Sequence, residues 1–221
     1  MHETDLHISK SLWLRFGKRT FDLFVSAILI LLLSPLMLLT ACAVKVTSRG
    51  PLLFRQERTG LRGKRFYPAK FRSMRTDHEH DTKEIVPLSH SGITPVGRFI
   101  RRFKIDELPQ LFCVLAGEMS LIGPRPTIPE QTDKYNEFER RRLLVRPGAT
   151  GLAQVNSPAS QSWEERIKYD VYYVQHVNFW LDAKILLKTA LVIVIGEERF
   201  TRPFDETPYA KVLADDDSQS N

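Results

Sequence analysis

The sequence predicts an α+β protein that is predominantly helical and attached to one face of a membrane. Three features support this fold class: a long apolar run near the N-terminus, two short strand patterns around a glycine turn, and several helical patterns after residue 95. With 43% hydrophobic and 26% charged residues, the composition excludes a wholly disordered chain. The mean hydropathy of −0.23 excludes a multi-span membrane protein, and the two cysteines exclude a disulfide-dense secreted scaffold.

Residues 23–44 form an apolar run, LFVSAILILLLSPLMLLTACAV, that contains no charged residue. As a helix, its 22 residues extend about 33 Å, which is close to the hydrocarbon thickness of a bilayer. Pro35 lies near the middle and removes a helical hydrogen bond, and Ser34 can satisfy the backbone group that is left free. We therefore predict a re-entrant membrane helix over residues 18–46, broken at Ser34-Pro35.

Basic residues flank this run on both sides. Those before it are Lys10, Arg15, Lys18 and Arg19, and those after it are Lys45, Arg49, Arg55 and Arg58. Under the positive-inside rule both ends belong in the cytoplasm, and a helix that enters and leaves by the same face satisfies this. Two alternatives remain: a Pro-kinked spanning helix, and a signal sequence cleaved near residues 41–43, although the apolar regions of signal sequences are usually shorter.

The charge of the whole chain favours an anionic partner. Thirty-two Lys and Arg against 26 Asp and Glu give a net charge of +6 and a pI near 9.4. Nucleic acid, phosphorylated small molecules and an anionic lipid surface all meet this requirement. Residues 45–75 concentrate the excess, and a polybasic segment beside the membrane explains that stretch as well as a binding site does.

Short strand patterns at residues 51–54 and 65–67 surround the turn at 60–63 and predict a small β-hairpin. A polar loop follows at residues 76–94. Its histidines are His78, His80 and His90. We interpret them as solvated rather than metal-bound, because loop histidines without a fixed scaffold rarely bind metal.

Helical patterns cover residues 98–104, 108–115, about 130–144, 163–173 and 179–195. The last pattern is apolar but carries three charges, which favours an amphipathic helix at the membrane interface over a membrane span. These charged residues are Asp182, Lys184 and Lys188. Turn-rich stretches at 117–129 and 147–151 are predicted loops, and the tail from residue 205 onward is predicted to be flexible.

The adjacent carboxylates Asp106 and Glu107 lie in a strongly basic part of the chain. Mg²⁺ prefers one or two carboxylates together with substrate phosphate oxygens, so this pair is a candidate magnesium site. Arg101, about one helical turn earlier, can bind a phosphate through paired hydrogen bonds. A purely structural alternative is that Asp106 caps a helix whose first turn contains Pro109.

Four further cations are candidate substrate-binding residues. Arg125 lies between two prolines that fix the backbone around it, although a simple surface turn is the alternative interpretation. Arg146 precedes a similar Pro-Gly corner. Lys70 and Arg72 alternate with apolar residues, so a strand would place both on one face.

Six motifs occur in the order in which they are found in the bacterial sugar transferases, the monotopic polyprenyl-phosphate phosphoglycosyl transferases. They are Ser34-Pro35, ERTG at 57–60, KFRSM at 70–74, DELPQ at 106–110, GEMSLIGPRP at 117–126 and RPGATG at 146–151. The chain therefore resembles this family from residue 18 to about residue 195. It is similar to the small form of the family that consists of the catalytic domain alone.

This resemblance implies the transfer of a phospho-sugar from a UDP-sugar to polyprenyl (undecaprenyl) phosphate, with release of UMP. The Asp of the Asp-Glu pair is the nucleophile of the family and forms a covalent phosphosugar intermediate, which assigns that role to Asp106. Glu107 is implied to work with bound Mg²⁺, so both carboxylates are expected metal ligands. Arg101 is implied to bind phosphate, and Arg125 is associated with the nucleotide.

The resemblance also implies a location on the bacterial cytoplasmic membrane, with the catalytic domain on the cytoplasmic face. We divide the chain into an N-terminal extension (1–17), the re-entrant helix (18–46), a catalytic domain at the membrane surface (47–200) and an acidic, flexible tail (201–221). The expected partners are a UDP-sugar, polyprenyl phosphate and the anionic lipid of one leaflet. A homo-oligomer is compatible with the sequence.

Two positions depart from the family pattern. Lys104-Ile105 stand where members commonly have small polar residues, and Ser157-Pro158-Ala159 stand where many have Gly-Arg. The second departure lies in a region tied to substrate selectivity, so the sugar is not predicted. The rival hypothesis is a non-catalytic membrane adaptor that binds anionic lipid or partners through its basic face. Nucleic-acid binding is disfavoured because the sequence contains no recognition motif.

Overall fold

A computed structural model of the chain describes residues 8–76, 89–157, 162–196, 198–200 and 202–219. The described part is mainly helical with short strands, as predicted. The helices are α1 (Lys18–Thr47), α2 (Pro95–Arg102), α3 (Gln110–Ala116), α4 (Pro129–Thr132), α5 (Glu137–Arg140), α6 (Leu152–Asn156), α7 (Trp163–His176), α8 (Phe179–Ile195) and α9 (Pro208–Gln219). The strands are β1 (Leu53–Arg55), β2 (Arg58–Thr59), β3 (Arg65–Phe66), β4 (Ala69–Phe71), β5 (Ser120–Ile122) and β6 (Gly148–Thr150).

Helix α1 continues through Pro35, so the predicted interruption at Ser34-Pro35 is not found in the helix. The hydroxyl of Ser34 donates a hydrogen bond of 2.8 Å to the carbonyl oxygen of Leu31, which is the carbonyl that Pro35 leaves without a helical donor. Because a side chain replaces the missing backbone donor, the helix persists past the proline. The predicted role of Ser34 is confirmed, whereas the re-entrant topology stays a prediction.

The middle of α1 is exposed, while both of its arms pack against the same globular body. Five of the six residues 31–36 are exposed, so this turn stands clear of the body. Ser26 on the first arm and Val44 on the second arm are buried, and Val44 packs in a cluster with Phe71. By length and composition alone, the segment Trp13–Thr47 is able to cross a bilayer.

Polar contacts hold the N-terminal arm of α1 on the body. The Nζ atom of Lys18 lies 2.8 Å from Oδ2 of Asp182 on α8, and the pair is buried. Asp22 accepts a hydrogen bond of 3.1 Å from the backbone N–H of Leu121 in β5. Arg19 donates to two carbonyl oxygens at the C-terminal end of α3, at 2.6 and 2.9 Å. The N-terminal arm of α1 is thereby fixed to α3, β5 and α8.

The predicted β-hairpin is present in a longer form than the sequence indicates. Strands β2 and β3 pair antiparallel beside the turn at 60–63, and β1 pairs antiparallel with β4. The pattern at residues 51–54 therefore pairs with residues 69–71 and not with residues 65–67. In this register Phe54 lies opposite Lys70.

A short parallel pair, β5 with β6, occupies stretches that the sequence predicts as loops. The two backbones approach closely at glycines, since a Cβ on Gly148 would lie 2.1 Å from the backbone N of Gly123. Strands of three residues are too short for hydrophobic periodicity to reveal them. The pair positions the loop that follows β5, which carries Arg125.

The longer helices agree with the sequence patterns better than the shorter ones. The predicted helix at 179–195 matches α8, and the charged pattern near 130–144 divides into α4, α5 and a 3₁₀ turn. The main core surrounds α7, on which Tyr169 and Tyr173 are almost fully buried. The tail, predicted to be flexible, contains α9, because the ring of Tyr209 packs 4.7 Å from that of Tyr172 and Leu213 is buried.

Gly97 allows α2 to pack directly against the end of β4, since a Cβ at this position would lie 1.9 Å from the carbonyl oxygen of Ser73. We expect Gly97→Ala to lower the free energy of unfolding by about 1–3 kcal/mol, because the backbone of one segment must shift. Urea denaturation in detergent measures this change. Arg98→Ala, at an exposed position of the same helix, is the control. An equal effect of both substitutions would contradict the proposed close contact.

Candidate active site

Asp106 and Glu107 lie in a 3₁₀ turn, Ile105–Glu107, between α2 and α3. The preceding residue, Lys104, adopts a left-handed conformation with φ 56° and ψ 18°. For a residue with a Cβ this conformation costs about 1–2 kcal/mol, and such strain is found often at functional sites. The turn reverses the chain sharply after α2 and leaves the Asp106 side chain buried.

The carboxylate of Glu107 joins three segments that are far apart in the sequence. Its Oε1 atom accepts hydrogen bonds from Nζ of Lys70 on β4 at 2.6 Å and from Nη2 of Arg125, after β5, at 2.9 Å. Burial alone raises the pKa of Glu107, but Arg125 and Lys70 together outweigh it and hold that pKa well below its usual range. Glu107 is therefore a permanently charged structural anion of the site.

Asp106 has a different environment from its neighbour. Burial raises the pKa of its carboxyl to about 6, with a further contribution from the charge of Glu107, while Lys70, Arg101 and Lys104 oppose the increase. No hydrogen bond from a described residue reaches this carboxylate. At neutral pH Asp106 is mostly ionised and weakly stabilised, which is the condition of a reactive carboxylate rather than of a structural one.

Arg101 is placed beside the carboxylates by the segment that follows β4. Its Nε atom donates to Oγ of Ser73 at 2.8 Å, and its Nη2 atom lies 3.7 Å from the sulfur of Met74. Burial lowers the pKa of Arg101, and the charges of Asp106 and Glu107 offset only part of that effect. Ser73 and Met74 belong to the KFRSM motif at 70–74, from which the sequence alone predicts no role for either residue.

Arg58 is a further cation of this site that sequence reasoning did not select. Burial lowers its pKa to about 10, and repulsion by Arg125 adds to that effect, while Glu107 and Glu130 raise it. Its position in the ERTG motif was the available signal. With Lys70, Arg101 and Arg125 it forms a cluster of four cations around two carboxylates, which is an arrangement suited to a polyanionic substrate.

The backbone of Arg125 is fixed by a buried hydrogen-bond network that centres on Arg142. Arg142, which is 2% exposed, donates from Nη2 to the carbonyl oxygen of Arg125 at 2.9 Å and forms a buried ion pair with Asp170. Its Nη1 atom donates to the hydroxyl of Tyr135 at 2.6 Å. Arg142 lies in the charged helical pattern near 130–144, in which the sequence singles out no residue, so its role became visible only in the structure.

Two predicted substrate-binding residues, Arg72 and Arg146, are held away from the carboxylates. The Nη2 atom of Arg72 donates to the carbonyl oxygen and to Oγ of Ser48, each at 2.7 Å, and the side chain is buried. Arg146 donates to the carbonyl oxygen of Gly117 at 2.9 Å, at the opposite end of α3. Strand β4 ends before Arg72, so the predicted alternation with Lys70 does not extend to it.

The carboxylate pair fits a magnesium ion that takes its other ligands from substrate. Among the described residues no cluster of three or more His, Cys, Asp or Glu side chains is present, and Asp106 and Glu107 are the carboxylates that would hold such an ion. Lys70 and Arg125 both contact the Oε1 atom of Glu107, so neither of these two contacts uses its Oε2 atom. Mg²⁺ commonly binds one or two carboxylates together with phosphate oxygens. His90 accepts a hydrogen bond from the backbone of Gly92, while His78 and His80 lie outside the described residues.

A carboxylate pair inside a cluster of cations is an arrangement suited to phosphorylated substrates, and the chain also carries one long apolar helix. The chain belongs to the bacterial sugar transferase family, whose sequence model matches residues 13–196. This confirms the resemblance drawn from the six motifs.

Three relatives illustrate this similarity. The chain is 42% identical over 192 residues to the UDP-glucose:undecaprenyl-phosphate glucose-1-phosphate transferase of Klebsiella pneumoniae, which covers 83% of the chain and 41% of that protein. It is 43% identical over 187 residues to the UDP-N-acetylgalactosamine-undecaprenyl-phosphate N-acetylgalactosaminephosphotransferase of Aeromonas hydrophila. This match covers 82% of the chain and 44% of that protein. It is 42% identical over 180 residues to the uncharacterized sugar transferase EpsL of Bacillus subtilis, and this match covers 81% of the chain and 88% of EpsL. The chain thus spans about two fifths of the two longer relatives.

The raised pKa of Asp106 predicts a pH-dependent cost to stability. The pKa is about 6 in the folded protein and about 4 in an unfolded chain, so ionisation destabilises the fold by up to about 3 kcal/mol above pH 6. This cost disappears as the pH falls from 6 to 4, where both states are protonated. We expect Asp106→Asn, without divalent cations, to raise the melting temperature at pH 7.5 and to lose this advantage near pH 4. The exposed Asp133→Asn is the control. A melting-temperature difference between Asp106→Asn and the unmodified protein that stays the same from pH 7.5 to pH 4 would contradict the prediction.

Proposed function

We propose that this protein is a phosphoglycosyl transferase that moves a phospho-sugar from a UDP-sugar to a polyprenyl phosphate and releases UMP. The observation that carries the proposal is the pair of unlike carboxylates: Glu107 is neutralised by Lys70 and Arg125, whereas Asp106 beside it accepts no hydrogen bond from a described residue. The names of the Klebsiella pneumoniae and Aeromonas hydrophila relatives, both transferases that use undecaprenyl phosphate, support the same reaction class.

In the first step, a carboxylate oxygen of Asp106 attacks the phosphorus that bears the sugar. An oxygen–phosphorus bond forms, and the bond from that phosphorus to the bridging oxygen of the diphosphate breaks. UMP leaves with the bridging oxygen, and an aspartyl phosphosugar remains on the protein. The step consumes no proton, so the site needs no general base.

In the second step, a phosphate oxygen of the polyprenyl phosphate attacks the same phosphorus. The bond to Asp106 breaks, the free carboxylate returns, and a polyprenyl diphosphate sugar is released. In both steps catalysis depends on positioning and charge neutralisation, which Arg58, Lys70, Arg101 and Arg125 supply. Bound Mg²⁺, held by Asp106 and Glu107, would add positive charge beside the phosphate oxygens.

The proposed reaction predicts release of UMP from at least one UDP-sugar. We expect the purified protein, with Mg²⁺ and undecaprenyl phosphate, to release UMP when a panel of UDP-sugars is supplied. Asp106→Asn should reduce the rate by roughly 10³-fold or more, because the attacking oxygen is lost. Asp133→Asn, at an exposed surface position, should retain the full rate. A folded protein that releases no UMP from any sugar would exclude the proposed reaction, and an unchanged rate in Asp106→Asn would exclude the assigned nucleophile.

We further propose that α1 is re-entrant and that the body lies on the cytoplasmic face of the bacterial membrane. Lys18, on the first arm of α1, is paired with Asp182, and Val44, on the second arm, packs beside Phe71 in the same body. A helix that crossed the bilayer would separate these arms and break one set of contacts. The basic residues on both flanks support the same topology.

This topology predicts that both ends of the chain lie on one side of the membrane. We expect a reporter tag before Lys10 and a tag after Asn221 each to give a cytoplasmic signal in intact bacterial cells. Asp182→Asn, which removes the partner of Lys18, tests whether the anchoring contact contributes to this orientation. Tags on opposite sides in the unmodified protein would show a spanning helix.

A further inference from the structure

An apolar groove of about 550 Å³ lies between the membrane helix and the catalytic segment. Its walls come from α1, the β1–β4 ribbon and α3, and they include Met37, Leu53, Tyr67, Phe71, Pro109 and Phe112. Charged side chains at the groove are Arg55 and Glu118, both of which are exposed. This volume is in the range of cavities that hold small ligands.

The β1–β4 ribbon presents one face to the groove and the opposite face to the carboxylates. Leu53 and Phe71 are register partners and line the groove together with Ala69. Lys70, between the last two, faces the other way and donates to Glu107. Side chains alternate between the two faces of a strand, so the groove and the cation cluster lie on opposite faces of the β1–β4 ribbon. Only the thickness of this short ribbon separates them.

The two ends of the groove have different surroundings. At one end Met37 follows directly after the exposed part of α1 at residues 31–36, which is the part expected in the lipid. At the other end Pro109 begins the wall formed by α3, two residues after Glu107. The groove thus extends from the lipid-facing side of the protein to the edge of the reactive turn.

We propose that this groove holds the first isoprene units of the polyprenyl acceptor while its phosphate lies among the cations beyond the ribbon. The inference rests on the proposed function and specifies where the acceptor binds. An acceptor with an anionic head and an apolar tail requires adjacent cationic and apolar surfaces. Here two neighbours on one strand contribute to these surfaces: Lys70 to the cationic surface and Phe71 to the apolar one. A nucleotide sugar, which is polar throughout, does not match apolar walls.

The two half-reactions allow the groove to be tested apart from the reaction itself. Without acceptor, the first step should release about one UMP per protein molecule and should not involve the groove. With farnesyl phosphate, a short acceptor that needs no bilayer, we expect Phe112→Ala to raise KM about tenfold, because a half-exposed aromatic wall of the groove is lost. The acceptor-independent release of UMP should remain unchanged.

Phe99→Ala, on α2, is the control, because Phe99 is as exposed as Phe112 but lies outside the groove. An unchanged KM for farnesyl phosphate in Phe112→Ala, with normal UMP release, would overturn the proposal. If the same variant instead weakened only vesicle binding, the groove would hold a bilayer lipid, which also overturns it. If Phe112→Ala loses UMP release, the KM for farnesyl phosphate and the acceptor-independent UMP release are measured instead for Tyr67→Ala, which changes another wall of the groove. Absence of UMP release in the unmodified protein would refute the proposed function and not the groove.

Discussion

The ion pairs of Glu107 are the interaction on which the site depends. One carboxylate oxygen accepts from Lys70 and Arg125, and these contacts join β4, the turn after α2 and the loop after β5. The side chains of Lys70 and Arg125 are 25% and 35% exposed, so the loss of either partner should cost less than the roughly 3–5 kcal/mol that is typical of fully buried ion pairs. Glu107 also allows Asp106 to remain reactive: it neutralises the nearest cations, so that its neighbour is not drawn into a stable pair.

Helix α1, which we propose lies in the membrane, contacts the same part of the protein. Arg19 donates to carbonyl oxygens at the end of α3, and Asp22 accepts from the backbone of β5, so the helix that follows Glu107 and the strand that precedes Arg125 are both fixed to α1. The site is thereby placed at a constant position relative to the helix expected in the lipid. An enzyme with one soluble and one lipid-borne substrate requires such a fixed boundary, and the proposed groove beside Met37 would use it.

The sequence motifs predict which side chains meet better than they predict the architecture. Asp106, Glu107, Arg101, Lys70 and Arg125 were selected from the motifs, and the structure brings these side chains together. Arg72 and Arg146 were selected as well but lie apart from the carboxylates, since the direction of a side chain depends on where a strand ends and on long-range carbonyl partners. Neither Arg58 nor Arg142 was selected, since their positions arise only when distant segments pack. The parallel pair β5–β6 and helix α9 were missed because short or tail elements depend on tertiary contacts rather than on periodicity.

The most direct test of this account is the intact mass of the protein after incubation with a donor UDP-sugar and Mg²⁺ in the absence of acceptor. The account predicts an increase equal to one phosphosugar, located on Asp106 by peptide mapping and removed when polyprenyl phosphate is added. An adduct on a different residue would contradict the assignment of Asp106. Release of UMP without an adduct would contradict the two-step mechanism.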